Sequence, residues 1–179
     1  SLKAMKQLLL ICAVMALVGC GKPLISDPIV EKEIRRWAEK PTGELTEADL
    51  EKVTRLYLRD PKITDADLKE VAKLQNLKSL GLAYTQITGA GLKELAKLQH
   101  LVRIYLIDTK ITDAGLKEVA KLKKLTRLRL RDTQITDAGL KELAKLQELL
   151  GLNLSSTQIT DAGLKEAAKL KKLKALYLT

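Results

Sequence analysis

The chain has 179 residues, the length of one domain or one elongated array, and 46% of them are hydrophobic although Phe is absent and aromatics reach only 3%. Any core must therefore be built from leucine. Both cysteines, Cys12 and Cys20, fall within the first twenty residues, which excludes a disulfide framework or a Cys-based metal site from the remainder; the net charge of +10 either attracts anionic surfaces or marks a solvated, lysine-rich face.

From Met5 the chain reads MKQLLLICAVMALVGC, with Ser1–Ala4 set apart as extraneous. A short basic start at Lys6 precedes an uncharged, mainly apolar run from Gln7 to Gly19. That run is shorter than the roughly 20 residues of a membrane span and has the form of a signal-peptide core. It ends in Leu17-Val18-Gly19-Cys20, which resembles the lipobox of bacterial lipoproteins. The resemblance implies that residues 1–19 are removed and that the Cys20 thiol takes a diacylglycerol, fastening the protein to a membrane in the cell envelope. An ordinary cleaved signal or a buried apolar helix is the alternative.

Residues 20–26 are expected to form a tether, and residues 27–52 an N-terminal helical cap with a half-repeat. Asp27-Pro28 has the form of a helix start, with Asp as the cap and Pro at the first helical position. Val30, Ile34 and Trp37 then fall on one face. Their expected job is to cover the open leucine end of a repeat array, because terminal units of such an array need a polar outside. Trp37 is read as part of that cap rather than as a platform for a ligand. Thr46 with Asp49 three residues on has the form of a capping box.

Residues 53–179 repeat every 24 residues. Leu56, Leu80, Ile104, Leu128, Leu152 and Leu176 make one column, and Leu58, Leu82, Leu106, Leu130, Leu154 and Leu178 another. Ile63, Ile87, Ile111, Ile135 and Ile159 make a third. A fixed period of this size marks a solenoid. Within each unit the L-x-x-L-x-L part alternates as a half-buried strand. The ITDAGLKELAKL part changes to a helical period, with Leu140, Leu143, Ala144 and Gln147 predicted on one face. Thr136 or Asp137 is expected to cap that helix, and the same reading makes Asp113, Asp137 and Asp161 helix caps. Wide helices stacked on one side and narrow strands on the other predict an α/β horseshoe with a parallel sheet inside the bend. Pro61 stands where Thr85, Thr109, Thr133 and Thr157 stand in the other units. The last unit stops after its strand, as if truncated.

The pattern resembles the leucine-rich repeat, L-x-x-L-x-L-x-x-N-x-L, in a T-x-I-T-D-A-G-L variant similar to internalin-like bacterial surface proteins. Thr in place of the family's Asn implies a hydroxyl bonded to a neighbouring turn rather than an amide ladder. The resemblance also implies binding through the concave sheet. If the leucines of each strand point in, Arg55, Tyr57, Arg103, Tyr105, Arg127, Arg129 and Arg131 point out together. These positions vary between units that are otherwise nearly identical. The arginines are either neutralised by Asp108 and Asp132 with Tyr105 beneath Arg129, or they await an anion, which arginine holds by paired hydrogen bonds.

Catalysis has little support, since His100 is the only histidine and lies in a loop. No cofactor and no metal site is expected. The expected function is a non-catalytic, exported, lipid-anchored recognition module for a protein or polyanionic envelope ligand. The rival readings are an envelope spacer without a specific ligand, or the non-catalytic part of a longer enzyme. Nucleic acid is the weaker partner, because aromatic platforms are few.

Overall fold

A computed structural model describes residues 22–178. The signal segment and Cys20 lie outside the described residues. Six short strands form one parallel sheet in sequential order: β1 (Arg55–Tyr57), β2 (Ser79–Gly81), β3 (Arg103–Tyr105), β4 (Arg127–Arg129), β5 (Gly151–Asn153) and β6 (Ala175–Tyr177). The register advances by one repeat per strand, so Leu56, Leu80, Ile104, Leu128, Leu152 and Leu176 are direct neighbours. The chain is a leucine-rich-repeat solenoid, with the sheet on the inner side and short helices on the outer side.

The core is a leucine stack. Leu56, Leu80, Ile104 and Leu128 are fully buried, as are Leu58, Leu82, Leu106 and Leu130. Each such side chain contributes about 1.5–3 kcal/mol on leaving water. Burial loosens at the last strand, where Leu176 is 37% and Leu178 45% exposed. At the other end a helix lies against the first strand. Helix α1 (Pro28–Trp37) starts at Asp27, whose carboxylate accepts from the Ile29 and Val30 amides at 2.9 and 2.8 Å. Val30 and Ile34 are fully buried against the first repeat. The expected tether is partly docked: Ile25 is buried in the same core, and the Leu24 carbonyl accepts from the Lys73 ammonium.

Helix α2 (Glu47–Glu51) carries the expected capping box, and Asp49 does more than close it. Its carboxylate accepts from Lys40 at 2.7 Å, from the Thr46 hydroxyl at 2.7 Å and from Lys52 at 3.0 Å. The Lys40 ammonium first, and then the Thr46 hydroxyl, hold the carboxyl well below the usual carboxylate range.

Along the outer side the units are α3 (Leu68–Val71), a 3-10 helix at Ala90–Lys97, α4 (Asp113–Val119), α5 (Asp137–Leu143) and α6 (Asp161–Ala167). The predicted apolar face needs one correction. Helix α5 ends at Leu143, so Gln147 is exposed and Leu146 takes the buried place instead. The Gln147 amide turns back to the Ala144 carbonyl at 2.7 Å, closing the helix end. Lys73, Lys97, Lys121, Lys145 and Lys169 each pair with the glutamate three residues earlier. Among the described residues, no helix is long and apolar enough to cross a membrane.

The repeated aspartates do not cap their own helices. Asp113 accepts from the Thr136 amide at 2.9 Å and its hydroxyl at 2.6 Å, one repeat further on. Asp137 does the same for Thr160, at 2.9 and 2.6 Å. The Thr160 hydroxyl first, and then its amide, lower the Asp137 pKa. The threonine is the helix cap, and the aspartate clamps the next threonine. Close approach explains the glycine of the A-G-L step: a side chain on Gly139 or Gly163 would strike the preceding repeat's Asp113 or Asp137 carboxylate. The second repeat lacks the clamp because Gly89 replaces the aspartate. Gly89 sits at φ +109°, and the helix after it is 3-10 rather than α.

The strand-end threonines also differ from expectation. Thr85 and Thr109 donate to the carbonyls of Leu82 and Leu106, three residues back, at 2.7 and 2.9 Å. Thr133 and Thr157 bond to Leu130 and Leu154 in the same way. Each hydroxyl therefore latches its own turn, not a neighbouring one. Cross-turn bonds come from the backbone instead, as in Asp108 N–H to the Arg131 carbonyl at 3.0 Å. Tyr84, Asp108, Asp132 and Ser156 adopt positive φ in this turn. Asp60 does not, because the following Pro61 confines it to extended conformations.

Candidate binding surface on the sheet

The leucines of each strand fill the interior, and alternation sends their neighbours to the open face of the sheet. Arg55, Arg127 and Arg129 are exposed there, and Tyr57, Arg103 and Tyr105 are half-buried. The register sets Arg103 directly beside Arg127 and Tyr105 beside Arg129. Neighbouring strands lie about 4.8 Å apart, so Arg103, Arg127 and Arg129 stand as neighbours on the open face. Arg131 comes just beyond β4.

The expected internal neutralisation is largely missing. Arg131 donates to Asp132 at 3.0 Å, through an exposed pair whose worth is typically under about 1 kcal/mol. Among the described residues, Arg55, Arg103, Arg127 and Arg129 form no ion pair, and Asp108 reaches no cation. The other expected contact that forms is a cation–π pair, with the Arg129 guanidinium carbon 5.0 Å from the centre of the Tyr105 ring.

A second feature escapes the sequence pattern. The Tyr57 and Tyr105 rings stack at 6.3 Å with only 18° between their planes, although a whole strand separates their backbones. Gly81 of that strand makes this possible, because a Cβ there would press into the Tyr57 ring. Beside it Ser79, fully buried, lies 3.3 Å from the Tyr57 hydroxyl. Trp37 extends the row, its ring 5.7 Å from Tyr57 and tilted by 55°. Trp37 thus joins the cap to the open face, a role its place on an amphipathic helix does not reveal. Its indole N–H is buried without an acceptor among the described residues. The available signal is the gap at Gly81 in a column otherwise holding large or polar residues.

Where α1 meets β1 the row opens into a groove of about 680 Å³, with Ile29, Lys32, Trp37, Tyr57 and Arg59 on its walls. Among the described residues no His, Cys, Asp and Glu gather in a group able to hold a metal ion.

Comparison with known proteins agrees with this architecture. Residues 73–96, 121–144 and 147–166 match the family described as Leucine Rich repeat. A leucine-rich-repeat protein of Leptospira interrogans is similar over 74% of the chain and 33% of its own, with 29% identity and a TM-score of 0.59. An internalin (inlF) of Listeria monocytogenes is similar over 84% of the chain and 55% of its own, with 20% identity and a TM-score of 0.52. An internalin C2 of the same organism aligns over 87% of the chain and 95% of its own, with 22% identity and a TM-score of 0.42. The chain therefore spans about half of the inlF structure and a third of the Leptospira one. No curated protein matches it.

Proposed function

We propose that the protein is a non-catalytic recognition module, exported and held to a membrane through lipidated Cys20, that binds an acidic protein partner through the open face of its sheet. One observation carries the reading. Arg103 and Arg127 stand in register on adjacent strands, with Arg129 on the same strand as Arg127, and none of the three has a carboxylate partner among the described residues. Like charges placed side by side are mildly unfavourable, and an incoming carboxylate relieves that cost while taking up paired guanidinium hydrogen bonds.

The test separates site from net charge. Arg127→Glu with Arg129→Glu is compared with Lys117→Glu and Lys141→Glu, which change the charge equally on the outer side. Binding of a fluorescein-labelled oligoglutamate peptide, measured by anisotropy, is expected to fall more than tenfold in the arginine variant and less than threefold in the lysine variant. Equal losses would show that only overall charge matters. Mass spectrometry of the native amino terminus tests the anchor separately: an acylated Cys20 is expected.

A further inference from the structure

We infer that the ligand is an acidic peptide segment with an apolar anchor: the anchor seats in the groove between α1 and β1, and the acids reach Arg103, Arg127 and Arg129. The inference rests on the acidic-partner reading and adds which chemical class the site accepts and in what order along the chain.

The aromatic row decides the class. Tyr57, Tyr105 and Arg129 come from β1, β3 and β4, so Tyr105 has Tyr57 on one side and the Arg129 guanidinium on the other. Each of its faces has a neighbour within the row, so a sugar ring or a nucleobase, which lies flat on an aromatic face, would compete there with Tyr57 or the Arg129 guanidinium. The accessible groups are ring edges, which carry the positive part of the aromatic quadrupole, together with guanidinium N–H groups. Those are partners for carboxylates and peptide carbonyls.

The groove supplies the other half. Ile29, Trp37 and Tyr57 give it an apolar part, and Lys32, Arg36 and Arg59 line it beside Glu33 and Asp60. From Trp37 to Tyr57, to Tyr105 and to Arg129 the steps are 5.7, 6.3 and 5.0 Å, together about 17 Å. An extended peptide advances about 3.3 Å per residue, so the first acid on the arginines comes about five positions after the anchor in the groove, with about four residues between them.

The experiment uses three labelled peptides with the protein from residue 21 onward. One carries a leucine, four Gly/Ser residues and three glutamates; one has alanine in place of the leucine; one has the leucine adjacent to the glutamates. The spaced leucine peptide is expected to bind roughly fivefold or more tightly than both others, as partial burial of one leucine allows. Ile29→Ser removes part of the groove wall and Lys32→Trp, at an exposed position, fills the groove. Both are expected to reduce the spaced peptide to the affinity of the alanine peptide while circular dichroism stays unchanged. Equal affinity for all three peptides, still lost in the Arg127/Arg129 double variant, overturns the anchor and leaves the acidic-partner reading standing. Failure of every glutamate peptide, with or without retention of a heparin fragment, overturns both; retention would point to a polyanionic glycan.

Discussion

The outer and inner sides of this solenoid treat charge in opposite ways. On the outer side five lysines meet five glutamates at 2.5–2.7 Å, one pair per repeat and always three residues apart. On the open face of the sheet, arginines stand beside arginines and tyrosine, and among the described residues only Arg131 finds an acid. The repeat therefore contains its own neutralising rule, and the sheet departs from it. The difference separates what the fold requires of a position from what it leaves free.

The largest expected effect breaks the comparison at its base. Leu128→Ala removes a fully buried side chain from the middle of the stack and should cost about 2–5 kcal/mol. Its neighbours Arg127 and Arg129, changed to alanine, should stay within about 0.5 kcal/mol of wild type, as exposed residues do. Urea unfolding monitored by circular dichroism measures both. A large loss at Arg127 or Arg129 would mean that the open face is structural after all.

The aspartate clamps sharpen the comparison on the outer side. Asp113→Ala removes two hydrogen bonds to the next repeat, and it should cost about 1–3 kcal/mol. The chain already contains the reverse case: Gly89 offers no carboxylate, and Thr112 makes no side-chain cap bond. Amide hydrogen exchange should accordingly be faster at Thr112 than at Thr136 and Thr160. Equal protection at the three amides would show that the clamp adds nothing to local closure.

These positions also show how much is legible in the sequence. The strand columns, the inward leucines and the outward arginines derive from a 24-residue period together with two-residue alternation, and both are local properties. The cap helix is equally readable, since Asp27-Pro28 and the Val30–Ile34 spacing specify its start and its buried side. The partner of each repeated aspartate is not legible. A carboxylate before a helix suits its own helix end and the next repeat's threonine equally well, and only the stacking distance decides between them. The Tyr57–Tyr105 stack is hidden for a similar reason: it depends on an absence, the missing side chain of Gly81, and on two residues 48 positions apart. Gln147 leaves the expected apolar face because the helix ends at Leu143, and periodicity alone does not mark that end.

Acid should weaken the cap through Asp49. The Asp49 carboxyl is held below its ordinary value of 3.8, chiefly by Lys40. A depressed pKa contributes stability in full above the ordinary value, and that contribution disappears as pH falls through the folded one. Thermal unfolding midpoints should therefore decline below about pH 4 in the wild type. Asp49→Asn should lower the midpoint at pH 7 and flatten that decline. Parallel pH curves for the two proteins would remove Asp49 as a source of the acid response.

The smallest expected effect lies where the two sides meet. Trp37 fills the junction of the cap with the sheet, yet its indole N–H is buried with no acceptor among the described residues. A donor stranded in this way costs about 1–3 kcal/mol, and a smaller ring gives up some apolar burial. Trp37→Phe removes the donor and keeps an aromatic ring against Tyr57, so the two changes offset and stability should move by no more than about 1 kcal/mol. Trp37→Ala loses the ring as well and should be destabilising by about 3 kcal/mol or more. The pair of variants isolates the N–H from the ring, and urea midpoints read the difference. A Phe variant as costly as the Ala variant would mean that the indole nitrogen has a partner in solution, and would make that nitrogen, rather than the ring, the link between the cap and the binding face.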